Sequence, residues 1–353
     1  MSSLGNIKTY RRAKTTSFIK TYRFKTLDLK HLTISDFTTE KGTTYSSIIL
    51  SYQIFGLELG IAPVVLVNHS LTGNSHVSEE DGWWNSIIGH RKLIDTDKYS
   101  VIAFNIPGNG ANNFHLESYS DFTVRDISRL FKIGLDRLKI TKLFAAIGGS
   151  IGGGIAWELA ALHPSFIDNL IPIATDWKST DWIIANTKVQ ELILTNSKNP
   201  VHDARVHAMN LYRTPESYSI KFNRKRNSST NTTEVESWLL HHGNKLQKRF
   251  SVNSYKLVNH LLSTIDITRG RGSFLEVASA IKSNIYMIGI NSDMFFTAKE
   301  NRESFLNLSK VKSNVHYGEI KSIHGHDAFL IEFEQLEVLL QHIFKSKTLV
   351  NSH

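Results

Sequence analysis

From about residue 44 to residue 175, short apolar runs alternate with longer stretches whose apolar positions recur every three or four residues. Residues 45–55 read as a strand. Residues 63–69 and 99–104 read as buried strands, being short, apolar and biased toward β-branched side chains. Residues 122–138 carry a helical face made by Val124, Ile127, Leu130, Phe131, Ile133, Leu135 and Leu138. Another apolar run at 143–147 leads through glycines into a helix-compatible stretch, and 169–174 reads as a further strand. Such alternation predicts an α/β fold, a mostly parallel central sheet with helices on both faces.

After Thr175 the pattern changes. Residues 177–194, 201–213, 234–250 and 254–265 all read as helices without a convincing strand among them, and 227–233 reads as a polar loop. Strands resume at 284–291 and about 314–320, followed by a final apolar helix. The expected division is a basic N-terminal arm (1–27), a first core segment (28–175), a helical insertion (176–281) and a second core segment (282–353). An insertion at that point would roof the end of the sheet, where pockets form.

The junction between the 143–147 run and its helix is Gly148-Gly149-Ser150-Ile151-Gly152, a G-x-S-x-G element. A tight strand–turn–helix of this kind pushes its central serine outward, and glycine is needed where a Cβ would collide with the turn. Ser150 is therefore the expected nucleophile. Serine is a poor nucleophile at its ordinary pKa and needs an adjacent base. Asp293 follows the 284–291 strand, and His326 lies beyond the next one, with His324 as its competitor for the role of base. The chain order Ser, Asp, His is that of α/β-hydrolase enzymes. The oxyanion donors are expected to be the backbone N–H groups of Ile151, at the helix start, and Leu71, in the loop after the 63–69 strand.

Composition narrows the alternatives. There is no cysteine, so disulfides, thiolate metal sites and a cysteine nucleophile are excluded. The 16 histidines show no H-E-x-x-H spacing, and the glycines at 148–154 are not followed by G-K-[ST], so neither a zinc site nor a phosphate loop is expected. No run of about 18 uncharged apolar residues is present, so no membrane helix is expected. The net charge of +9 comes mostly from residues 1–27, which hold seven Lys/Arg and no acid; the remainder carries 34 basic against 32 acidic residues. A nucleic-acid footprint would need basic residues clustered on one folded face, so no nucleic-acid partner is expected. The arm reads as a transit-peptide-like or mobile segment, and a cytoplasmic location is the expectation.

Several strings are similar to those of homoserine O-acetyltransferases. Asn68-His69-Ser70-Leu71-Thr72-Gly73-Asn74-Ser75-His76-Val77, followed by Gly82-Trp83-Trp84, resembles their loop after the third strand. Gly148–Gly153 resembles their elbow, Ser292-Asp293 their triad acid, and Gly325-His326-Asp327-Ala328-Phe329-Leu330 their histidine segment, which favours His326 over His324. Asp203-Ala204-Arg205, Tyr212-Arg213, Arg249-Phe250, Asn253-Ser254-Tyr255 and Asp266 look like parts of their lid. The likeness covers about residues 45–345.

The resemblance implies a ping-pong transfer of acetyl from acetyl-CoA, as co-substrate, to the side-chain hydroxyl of L-homoserine, a step of methionine biosynthesis. It implies Arg205 on the amino-acid carboxylate, Tyr212 orienting the substrate, and Asp327 receiving its ammonium. It further implies no tightly bound cofactor or metal, and a homodimer formed through the helical insertion. The stretches 105–114 and 195–200 depart from the family's pattern. They leave open succinyl as the acyl group, serine as the acceptor, or water as the acceptor in an esterase with the same triad.

Overall fold

The computed structural model describes residues 29–345 apart from 117, 229 and 230; the basic arm at 1–27 lies outside the described residues. Eight strands form one sheet: β1 (Lys30–Thr38), β2 (Thr44–Gly56), β3 (Val64–Asn68), β4 (Ser100–Phe104), β5 (Leu143–Gly149), β6 (Ile167–Ile173), β7 (Asn284–Ile290) and β8 (Val315–Ile320). Their order across the sheet is β1-β2-β4-β3-β5-β6-β7-β8. The β1–β2 and β2–β4 pairs are antiparallel and the rest are parallel, so β2 alone is reversed and the other seven strands point their C-terminal ends the same way.

Both faces of the central strands β3 to β6 are buried, which explains why these strands are mostly apolar rather than alternating. On β3, Val64 and Leu66 enter one core and Val65 and Val67 the other; on β4, Ile102 and Phe104 oppose Val101 and Ala103. The first core lies under α1 (Val124–Arg137) and α2 (Ile151–Leu162). Helix α1 starts at a capping box in which Thr123 and Asp126 satisfy each other's backbone N–H groups, and its face of Ile127, Leu130, Phe131 and Leu135 is buried as its spacing predicts. The second core is closed by Trp84, Ile87 and Phe329, and by a terminal helix whose Leu336, Leu340 and Phe344 are buried.

Between β6 and β7 the chain forms α3 (Asp181–Asn196), α4 (Pro200–Tyr212), α5 (Pro215–Phe222), α6 (Glu234–Gln247), α7 (Val252–Ser263) and α8 (Phe274–Ala280). The final helices are α9 (Ala298–Leu308) and α10 (Phe333–Phe344). Three details differ from the sequence expectation. Residues 227–233 are not simply a loop: Arg226–Asn227 pairs antiparallel with Thr232–Thr233, a minimal hairpin whose backbone pairing leaves no hydrophobic signature. Helix α3 begins at Asp181 rather than 177, because the backbone at Lys178 pairs antiparallel with that at Asp266 and the Trp177 ring stacks on Phe274 at 4.5 Å. Elements that went unread include β1, α5, α8 and α9. Helix α5 carries the capping signal Thr214 followed by Pro215, and β1 is an edge strand with only Ile34 and Phe37 deeply buried.

Asp176 marks the seam where the sheet gives way to the insertion. It accepts hydrogen bonds from the Trp177 N–H (2.8 Å), Ser304 Oγ (2.9 Å) and Asn301 Nδ2 (3.3 Å), and has no ion pair among the described residues. Burial pushes its pKa up to about 7. An unfolded aspartate ionises near 3.9, so the folded chain retains a proton that the unfolded chain releases. This group therefore costs nothing below about pH 4, and its cost grows as pH rises to about 7. Asp176→Asn is expected to raise Tm by a few degrees more at pH 8 than at pH 5 in thermal melts; an equal shift at both values would contradict a protonated buried carboxyl.

Candidate active site

Ser150 stands at the turn between β5 and α2 with φ 57° and ψ −129°, a backbone conformation strained for a residue with a Cβ. The neighbours enforce it. A Cβ on Gly148 would lie 2.5 Å from the Gly152 backbone, and one on Gly152 would lie 2.4 Å from the Asn68 carbonyl oxygen. The Ser150 N–H is held by the Ile173 carbonyl at 2.9 Å. Close packing at the two glycines thus turns a local sequence pattern into a fixed side-chain direction.

The loop after β7 and the turn after β8 bring two more side chains to that point. His326 Nε2 accepts from the Ser150 hydroxyl at 3.0 Å, and its Nδ1–H donates to Asp293 Oδ2 at 2.7 Å. The other oxygen, Asp293 Oδ1, accepts the N–H groups of Phe295 (2.7 Å) and Phe296 (3.1 Å), so the carboxylate cannot turn away. Phe295, Phe296, Phe329 and Tyr212 surround the imidazole, with ring centroids 5.3–5.9 Å from it. All three residues are nearly sealed from solvent, at 3% exposure for Ser150, 4% for His326 and 5% for Asp293. A proton can pass from the hydroxyl to an imidazole whose tautomer is fixed from behind. His324, the rival base, does not reach Ser150; its Nδ1 instead accepts from Arg213 Nη1 (3.1 Å) and Ser217 Oγ (3.0 Å).

Of the two expected oxyanion donors, Ile151 follows Ser150 in the chain and Leu71 lies in the loop after β3. The Ile151 N–H opens α2, and neither it nor the Leu71 N–H has an acceptor among the described residues. The Leu71 loop is braced by His69 and Asn68. His69 donates Nδ1–H to the Ser70 carbonyl (2.7 Å) and accepts the Ile106 N–H at Nε2 (3.1 Å), while Asn68 Nδ2 donates to the Gly152 carbonyl (3.2 Å). Burial pushes the His69 pKa down to about 4, so it is a neutral brace. Sequence reading passed over this role, although a histidine inside an otherwise apolar strand end was a usable signal.

Arg205, Tyr212 and Asp327 do not share one helix, yet Arg205 and Asp327 both lie near Tyr212, whose ring is 5.6 Å from that of His326. Seven residues along α4 bring the Arg205 guanidinium to 5.6 Å from the Tyr212 ring. Burial raises the Tyr212 pKa to about 12, with Arg205 opposing and Asp327 adding to the shift, so the phenol stays protonated. Arg205 has no ion pair or hydrogen bond among the described residues. Arg249 adds a second guanidinium that sequence reading gave no role. Its Nη1 donates to the Thr72 carbonyl at 2.9 Å, and burial and then Arg205 hold its pKa below the usual arginine value even though much of the side chain meets solvent. Asp327 is not a free carboxylate: its Oδ2 accepts Arg213 Nε–H at 3.1 Å. Among the described residues no group of three or more His, Asp or Glu is arranged to hold a metal ion.

Comparison with known proteins identifies the fold and the family. The family model described as alpha/beta hydrolase fold matches residues 63–328. The homoserine O-acetyltransferase of Moorella thermoacetica is 33% identical over 87% of this chain and 92% of its own length. Among solved structures, homoserine O-acetyltransferase from Staphylococcus aureus superposes with a TM-score of 0.75 at 25% identity, covering 91% of this chain and 96% of its own. Esterase E22 superposes at 0.80 with 18% identity, covering 90% and 99%, a likeness of fold. Identity of this extent along nearly the whole length leads to one assignment: the chain belongs to the homoserine O-acetyltransferase family, built on the α/β-hydrolase fold.

Proposed function

We propose that this protein transfers the acetyl group of acetyl-CoA to the side-chain hydroxyl of L-homoserine through an acyl-Ser150 intermediate, a step of methionine biosynthesis. The observation that carries this reading is the hydrogen-bonded run from Ser150 through His326 to Asp293, buried beside an unpaired Arg205 and a carboxylate at Asp327. An ester-selective pocket has no need of opposite charges set for a zwitterion.

The chemistry follows from the geometry. His326 Nε2 takes the Ser150 proton as Oγ bonds to the thioester carbonyl carbon. The Ile151 and Leu71 amides stabilise the oxyanion, the helix dipole of α2 adding to the first. The C–S bond breaks and the leaving thiolate takes the proton from the imidazolium. The homoserine hydroxyl then gives its proton to His326, attacks the acyl carbon, and Ser150 leaves with that proton. Arg205 holds the substrate carboxylate in paired hydrogen bonds, Tyr212 orients the substrate, and Asp327 receives the ammonium. Residues 176–281 serve as a lid between core segments 28–175 and 282–353, limiting water at the acyl-enzyme; the low exposure of Ser150 supports this. No tightly bound cofactor is needed.

Assembly and location belong to the same reading. Trp182, Val189 and Leu192 lie on one outward face of α3 and are exposed, which supports a homodimer formed through the lid. A cytoplasmic site suits an acetyl-CoA-dependent biosynthetic step, and no helix among the described residues is long and apolar enough to cross a membrane. The test is mass spectrometry of products from L-homoserine and L-serine, each offered with acetyl-CoA and succinyl-CoA. O-acetylhomoserine as the dominant product is expected. Dominance of a succinyl or seryl product would redirect the assignment, and acceptor-independent CoA release would make the protein a hydrolase.

A further inference from the structure

Asp327 is held by a residue from the C-terminal end of α4. Arg213 is the last residue before α4 gives way to α5, and its Nε–H reaches Asp327 Oδ2 at 3.1 Å. Its Nη1 is committed to His324 Nδ1 at 3.1 Å, which also accepts from Ser217 Oγ at 3.0 Å. Thr214 Oγ1 donates to the Ile323 carbonyl, joining the same two segments a second time. The Arg213 and Asp327 side chains are only 16% and 18% exposed, and the guanidinium lies 6.0 Å from the Trp238 ring. The contact is single rather than forked. It occupies Oδ2 and leaves Oδ1 without a partner among the described residues.

We infer that Arg213 is a positioning residue for amino-acid recognition: by holding Oδ2 of Asp327 it presents Oδ1 to the α-ammonium of the acceptor. The inference rests on the acceptor reading given above and adds to it a residue that touches no substrate. The physical reason is rotational. A carboxylate beside a pocket turns about its last bond at little cost, and a charge-assisted hydrogen bond to one oxygen fixes the direction of the other. Splitting the guanidinium between His324 and Asp327 prevents the forked pairing that would occupy both oxygens. Arg213 thus anchors the acid without competing for the oxygen the ammonium needs. Specificity for an amino acid over its desamino analogue then depends on a residue 114 positions away in the chain.

The test compares the unaltered enzyme with Arg213→Gln and Arg213→Lys on two acceptors, L-homoserine and 4-hydroxybutanoate, which has the carboxylate and hydroxyl but no ammonium. The second is read as acceptor or as competitive inhibitor. Arg213→Gln is expected to raise KM for L-homoserine about tenfold to a hundredfold. It should leave 4-hydroxybutanoate affinity and the acetyl-CoA half-reaction at Ser150 unchanged, so discrimination between the acceptors collapses. Arg213→Lys should recover part of it. Labelling of Ser150 by a fluorophosphonate and a thermal melt verify that each variant is folded. Equal losses on both acceptors, or no loss on either, overturn the inference and reduce Arg213 to a latch between segments. Absence of homoserine-dependent CoA release in the unaltered enzyme overturns the acceptor reading itself, and this inference with it.

Discussion

Ser150→Ala should reduce CoA release and product formation by about four orders of magnitude or more, the loss typical when the nucleophile of a serine–histidine pair is removed. Alanine retains the turn and the packing of Gly148 and Gly152 against it, so the fold should persist. What disappears is the Oγ that sits 3.0 Å from His326 Nε2. Intact-mass spectrometry after mixing with acetyl-CoA should show an added acetyl group on the unaltered protein and none on the variant. A variant that still gains the acetyl group at another residue would remove Ser150 from the mechanism.

Arg205→Ala should damage the second half of the reaction and spare the first. Losing the partner of a desolvated carboxylate costs about 2–5 kcal/mol, or roughly 30-fold to 5000-fold in kcat/KM for L-homoserine. Acylation of Ser150 needs only the thioester, the imidazole and the two amides. Its rate in a rapid-mixing experiment should therefore change little. Arg249 is near enough to Arg205 for the two charges to repel, but its Nη1 is engaged with the Thr72 carbonyl, so little rescue from it is expected. Equal damage to both half-reactions would mean that Arg205 shapes the lid or holds the acyl donor, not the amino acid.

The likeness to esterase E22 in fold and to homoserine O-acetyltransferases in sequence points to where the transferase character resides. A triad and oxyanion hole serve hydrolysis and transfer alike, and a fold hosts many activities. The difference must come from what excludes water and holds the second substrate. In the function proposed above, those tasks fall to the insertion and to Arg205, Tyr212 and Asp327.

The chain alone determined whatever depends on neighbours close in sequence. Apolar runs set β3, β4, β5 and β7, the three-to-four spacing of Ile127, Leu130 and Phe131 set α1, and two glycines flanking Ser150 set the elbow, since their steric demand is local. The order Ser150, Asp293, His326 was legible for the same reason: each residue follows a strand end. Tertiary structure decided which groups meet. It gave Ser150 to His326 rather than His324, withdrew the charge of His69 by burial, and tied Asp327 to Arg213. It also paired β1 with β2 and built the Arg226–Thr233 hairpin from backbone bonds that carry no apolar pattern. A side chain's partner and protonation depend on what the fold packs around it and how far water is excluded, and neither quantity is written in the residues adjacent to it.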